Sequence, residues 1–192
     1  MELFVDTETS DKFNFKTQRY YDKNFPWMVQ LGAVLAEEGI AYAELNLIVQ
    51  PNGRTISEGA AAVHNISVET AQKVGVEEGF ICWLLLELIN HADTLVAHNY
   101  QFDSQILAAM FFRNGHDDAA ADLVEGKKSF CTMQRTTNLC RLPGPYGFKW
   151  PKLVELHQFL FNEGFVGAHD AMYDIKATMK CYYELKKRGY IK

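Results

Sequence analysis

The chain has 192 residues, of which 48% are hydrophobic and 22% charged, enough apolar content for one domain with a sizeable core. A formal net charge of −5 excludes a protein that coats nucleic acid through an overall basic surface, unless bound divalent cations reverse the sign locally. No apolar run reaches the length of a membrane span and no basic-then-apolar leader opens the sequence, so no membrane association and a cytoplasmic location are expected.

In chain order, Leu3 to Val5 reads as a short strand, followed by a long aromatic and basic loop over 10–27. Met28 to Ala36 reads as a strand, Glu37-Glu-Gly39 as its turn and Ile40 to Val49 as its hairpin partner, with Pro51-Asn-Gly53 closing the meander. Ser67 suits a helix N-cap. Glu77 to Asn90 is a strongly apolar helix, and Thr94 to Ala97 a short buried strand. Asn99 to Asn114 repeats Phe102, Ile106, Ala109 and Met110 at helical spacing. Lys128 to Thr132 reads as a last strand. Pro151 suits the first position of a helix reaching about Leu160. The final helix runs from His169 to Arg188. Three strands followed by alternating helix and strand predict an α/β domain with a mixed sheet. The cysteines Cys82, Cys131, Cys140 and Cys181 form no C-x-x-C pair, so reduced thiols are expected rather than a structural zinc site.

Three acidic groups mark the chemistry. Asp6 and Glu8 follow the first apolar run two positions apart, so in a strand both carboxylates project to one face. Two such charges repel unless a cation sits between them, and hard oxygen ligands suit Mg²⁺ or Mn²⁺. Asp103 falls in the first turn of a helix entered from a buried strand through His98-Asn99. His169 and Asp174 are too far apart around an ideal helix to share a face. With Gly164 and Gly167 ahead of them, His169 belongs on the entering loop and Asp174 in the first or second turn. Each acid has an ordinary explanation by itself, as a solvated strand end or a helix cap. A metal cage with a histidine beside it explains all of them at once.

These residues carry a resemblance to the DnaQ-like 3′–5′ exonucleases of the DEDDh type. The first motif is Asp6-Thr-Glu-Thr9, the second His98-Asn99 with Phe102-Asp103, and the third His169 with Asp174. Val63-His64, Cys131-Thr-Met133 and Lys149-Trp-Pro-Lys-Leu153 also look like family segments, so the resemblance spans nearly the whole chain as one domain, 1–192. It implies an RNase H-like fold, a central mixed five-stranded sheet flanked by helices. It implies two divalent ions, Mg²⁺ or Mn²⁺, with Asp6 bridging them, Glu8 and Asp174 completing the first site and Asp103 holding the second. His169 is then the general base, and Thr7, Thr9, His98, Asn99 and Phe102 contact the nucleotide. The implied reaction releases nucleoside 5′-monophosphates from single-stranded 3′ ends, DNA favoured over RNA. A 3′–5′ exoribonuclease and an inactive nucleic-acid-binding module are the alternatives, and a polymerase partner is left open.

The loop over 10–27 interleaves aromatic residues with Lys12, Lys16, Arg19 and Lys23. One expectation is that Tyr20 and Tyr21 stack on unpaired bases; the other is that these aromatics close the core. The cations Lys127, Lys128, Arg135, Arg141, Lys149 and Lys152, with Lys149 foremost, are candidate backbone contacts or a solvated surface.

Overall fold

The computed structural model describes residues 1–126, 128–164 and 170–191. Its elements are β1 (Glu2–Thr9), β2 (Met28–Glu37), β3 (Ile40–Ile48), α1 (Glu58–His64), α2 (Val68–Val74), α3 (Glu78–His91), β4 (Thr94–Ala97) and α4 (Tyr100–Arg113). They continue with α5 (Asp117–Ala121), a π-helical turn over Asp122–Gly126, β5 (Ser129–Cys131), α6 (Thr132–Cys140), β6 (Pro143–Gly144), β7 (Gly147–Phe148), α7 (Leu153–Phe161) and α8 (Ala171–Lys187). No helix among the described residues is long and apolar enough to cross a membrane.

The main sheet has the order β3-β2-β1-β4-β5. The first three strands are antiparallel, whereas β1–β4 and β4–β5 are parallel, so β1 is central and the sheet is mixed as expected. Side chains alternate across it. Leu3 and Val5 pack with Ile106 and Leu107 of α4 and with Ile81 and Leu85 of α3. Phe4 packs on the other face with Ile175 and Tyr182 of α8. A third cluster joins α6, α7 and α8 through Cys140, Leu156, Cys181 and Leu185. All four cysteines are buried free thiols.

Two local features fix α8 on the sheet. Gly32 of β2 lies opposite Asp6, and a Cβ there would stand 2.6 Å from Ile175 Cδ1 and 3.1 Å from the Ala171 backbone. Only glycine admits the first turn of α8 so close. At the other end of β1, the Glu2 carboxylate accepts from Tyr183 Oη at 2.9 Å and Lys186 Nζ at 3.0 Å, with Tyr182 beside it.

Several elements differ from the sequence reading. Pro151 does not open α7: it precedes the cap residue Lys152, and its carbonyl turns towards His98 instead. The Lys152 N–H is satisfied by Glu155 Oε2 at 2.8 Å, so the helix starts one residue after that cap. The strand expected to reach Thr132 ends at Cys131, because Thr132 is the first residue of α6. Helices α1, α5 and α6 and the β6–β7 hairpin were not anticipated.

Candidate active site

β4 pairs with β1 only as far as Phe4–Val96, while β1 runs on to Thr9. Parting of the two parallel strands opens a crevice at their carboxyl ends, where α/β sheets place ligands. The Thr7 N–H donates to Asp103 Oδ1 at 3.0 Å, and the Thr7 hydroxyl donates to the same oxygen at 2.8 Å. Asp103 thus sits in the first turn of α4, as the sequence indicated, and is only 3% exposed.

On the opposite face of β1, Asp6 and Glu8 point towards α8. There Asp174, in the first turn, completes a cluster in which one carboxylate oxygen of each residue lies within 4.8 Å of the others. The close seat over Gly32 brings Asp174 into range. Asp170 caps the helix, accepting from the N–H groups of Met172 and Tyr173 at 3.0 and 3.3 Å. The four acids read from the sequence therefore divide: Asp6, Glu8 and Asp174 share one cluster, and Asp103, held by Thr7, acts on Asp6 from beside it. His169 lies outside the described residues.

The electrostatics reflect this crowding. Burial, then the charges of Asp103, Asp174, Glu8 and Asp170, push the Asp6 carboxyl well above the usual carboxylate range. Burial and the Asp174 and Asp170 charges push Glu8 up to about 7. Burial pushes Asp103 up to about 7 against the pull of its two Thr7 bonds, with Glu8 adding to the rise. Crowded carboxylates among which Asp6, Glu8 and Asp103 resist ionisation suit a bound divalent cation, which reverses the local sign. Hard oxygen donors of this kind match Mg²⁺ or Mn²⁺.

Asp6, Glu8 and Asp174 line a cleft of about 1090 Å³. Thr9 reaches its wall, with its hydroxyl donating to the Asp11 carbonyl at 2.9 Å. Asn99 and Phe102 line it too, Asn99 in the left-handed conformation (φ 80°) that asparagine tolerates. His98 borders the cleft with both ring nitrogens engaged: Nε2 lies 3.0 Å from the Pro151 carbonyl and Nδ1 2.9 Å from Thr132 Oγ1. A carbonyl only accepts, so Nε2 carries the proton and Nδ1 accepts from the threonine hydroxyl. Burial pushes this imidazole down to about 4, which keeps it neutral, and its hydrogen bonds latch the Pro151 segment to the β4–α4 junction.

The aromatic loop divides between the two expectations. Phe25 and Trp27 are buried in the core. Phe13 lines the cleft and stacks on Phe102, with ring centroids 5.0 Å apart and planes at 19°. Tyr20 and Tyr21 do not line the cleft: they meet Phe112, at the far end of α4 from Phe102. Lys149 is also outside the lining, ion-paired with Glu155; the cations that line it are Lys12 and Lys152.

Sequence reasoning marked Met133, Trp150 and His64 only as members of recurring segments, yet all three line the cleft. His64 is 7% exposed; among the described residues its Nε2 has no hydrogen-bond partner of good geometry, although the Thr9 backbone acts on the ring. Its Nδ1 accepts from the Ile66 N–H at 3.1 Å, which orients the ring.

The Exonuclease (RNase_T) family profile matches residues 4–182. No curated protein sequence matches the chain. Among solved structures, Escherichia coli Exonuclease I in complex with a dA16 oligonucleotide superposes with a TM-score of 0.73 at 20% identity, over 97% of this chain and 41% of that one. Its complex with a dT13 oligonucleotide gives 0.76 at 19%, over 97% and 41%. The zinc-bound form of the E. coli ExoI–ssDNA complex gives 0.72 at 21%, over 97% and 40%. The chain thus spans about two fifths of the length of these structures, which share its mixed-sheet RNase H-like fold. With the profile extending over nearly all of the described elements, the chain belongs to the Exonuclease (RNase_T) family, within the DnaQ-like group of the RNase H-like superfamily.

Proposed function

We propose that the protein is a divalent-metal-dependent 3′–5′ exonuclease that releases nucleoside 5′-monophosphates from single-stranded DNA. One observation carries the reading: Asp6, Glu8 and Asp174 converge, with Asp103 behind them, on a cleft floored by acids and walled by stacked aromatics. A phosphodiester is an anion, and such a floor repels it unless cations intervene. The structural neighbours with dA16 and dT13 oligonucleotides favour DNA as the strand.

Asp6, Glu8 and Asp174 would hold a divalent cation, and Asp103 is the candidate for a second. Cations there would polarise the phosphoryl oxygens and offset charge as water displaces the 3′ oxygen of the penultimate nucleotide. The protein's own residues do the rest. Thr7 fixes the Asp103 carboxylate through two bonds to one oxygen, Oδ1. Phe13 and Phe102 form a wall against which the terminal base stacks. His64, which lines the cleft, offers that nucleotide a polar contact. Lys12 and Lys152 face the backbone phosphates. His169, one position before the α8 cap in sequence, is assigned the proton of the attacking water, a task suited to an imidazole at neutral pH.

The test is a time course on 5′-labelled single-stranded DNA with Mg²⁺, the same sequence in RNA alongside. A ladder shortening from the 3′ end is expected, with kcat lowered roughly 10²–10⁴-fold in His169→Ala. Binding of both strands without hydrolysis would refute the reading in favour of an inactive binding module.

A further inference from the structure

The β6–β7 hairpin rises from the rim of the cleft with three uncovered rings at alternate positions. Tyr146 in its turn is 102% exposed, Phe148 in β7 is 50% exposed, and Trp150 just beyond is 58% exposed and lines the cleft. None closes a core. Lys149, between two of them, extends the hairpin ladder by donating its N–H to the Leu142 carbonyl at 3.0 Å, and its ammonium turns inward to Glu155. By strand alternation Phe148 and Trp150 then share the opposite face.

The base of the hairpin is fixed. The Pro151 carbonyl is bonded to His98, and Glu155 holds both the Lys149 ammonium and the Lys152 N–H. A row of rings thus leads outward from the cleft on a rigid root, between Arg141 at its start and Lys152 at its end, both exposed cations. Flat rings interleaved with cations match unpaired bases and their phosphates, because every base has a face to stack and the contact tolerates any sequence. A protein partner would need a closed apolar patch, whereas these uncovered rings are spaced along the chain from the hairpin turn to Trp150, which lines the cleft.

We propose that Tyr146, Phe148 and Trp150 form a stacking platform for the bases upstream of the terminal nucleotide, so that the chain grips single-stranded DNA beyond the residue it removes. This rests on the cleft receiving the 3′ end. The platform makes the enzyme prefer long strands to dinucleotides, since a dinucleotide does not reach the hairpin.

The experiment compares kcat/KM on an oligo-dT of about ten nucleotides with that on a dT dinucleotide. The wild type, the Tyr146→Ala/Phe148→Ala double variant and the conservative Tyr146→Phe/Phe148→Trp variant are measured together. Exposed positions leave the fold intact, checked by an unchanged melting temperature. The expected result is a long-to-short ratio well above one in the wild type, lowered by roughly tenfold per ring in the alanine variant and restored in the aromatic one. An unaltered ratio in the alanine variant, with the wild type hydrolysing strands, overturns the platform alone. A ratio unaltered while the substitutions change the sedimentation coefficient assigns the surface to another copy of the chain and overturns it as well. A wild type that hydrolyses neither substrate overturns the reading of the cleft, and the platform with it.

Discussion

Gly32→Ala tests how the acid cluster is set. The added Cβ would stand 2.6 Å from Ile175 Cδ1 and 3.1 Å from both the Ala171 carbonyl carbon and Cβ. Carbon atoms rest at about 3.5–4.0 Å, so Ile175 must swing its terminal methyl aside and the Ala171 backbone must retreat by about half an ångström. The first adjustment is a rotamer change; the second moves the start of α8, and Asp174 travels with it. Overpacking of this kind costs about 1–3 kcal/mol. A misplacement of about 1 Å at a reacting centre lowers rates about 10²-fold, so roughly a tenfold loss is expected for about half that shift. Calorimetric titration with Mn²⁺ and turnover on labelled single-stranded DNA measure the two consequences, and Tm reports the packing cost. Adding Ile175→Val to Gly32→Ala removes the clashing Cδ1 and should recover part of the Tm but neither metal affinity nor turnover, because the Ala171 contact remains. Wild-type metal affinity and turnover in Gly32→Ala, alongside a lowered Tm, would refute the idea that this glycine sets the position of Asp174.

Three further outcomes are expected. Thr7→Val keeps the backbone bond to Asp103 and removes the hydroxyl bond; stability should fall by about 1 kcal/mol, and the acidic limb of the kcat–pH profile should move to higher pH. Equal profiles would detach Asp103 from turnover. In chelator, Tm should fall as pH rises from about 4 through 7, because Glu8 and Asp103 bind protons more tightly in the fold than unfolded. Their stability contribution is complete below the unfolded pKa and lost as pH passes the folded one. Saturating Mg²⁺ should flatten that slope, and a Tm that rises over this range in chelator would contradict the crowding. The His98 ring, held near 4 by burial, should show flat imidazole NMR shifts from pH 5 to 8, and His98→Ala should raise KM more than it lowers kcat by freeing the Pro151 segment. A titration midpoint near 6.5 would mean that the latch is open in solution.

The acid pair was legible because strand alternation is strict: once 2–9 is a strand, Asp6 and Glu8 must share a face. Asp103 was legible as a first-turn acid, but its bond to Thr7 was not, since that contact depends on β4 ending before β1 does. Helix α6 was hidden by composition. Its β-branched Thr132, Thr136 and Thr137 disfavour a helix, yet Thr136 and Thr137 return their hydroxyls to the carbonyls one turn back and remain helical. Helix α1 is only seven residues long, and its signal was Ser57 ahead of an alanine-rich run, capping the Ala60 N–H. The aromatic loop gave no basis for choosing Phe13 over Tyr20 and Tyr21. All three lie in irregular backbone, and only tertiary placement shows which ring meets Phe102 and which meet Phe112.

The Glu2 clasp has a bearing on synthesis. Asp6 and Glu8 leave the ribosome well over a hundred residues before Asp174 and the tyrosines and lysine that hold Glu2. A partly made chain therefore carries two of the clustered carboxylates without the third, on a strand whose α8-facing side is still bare. The proposed cation site is then complete only once α8 has closed over β1. Because one helix carries both contacts, the Glu2 clasp and the Asp174 seat lie at opposite ends of a single packed unit of β1 and α8.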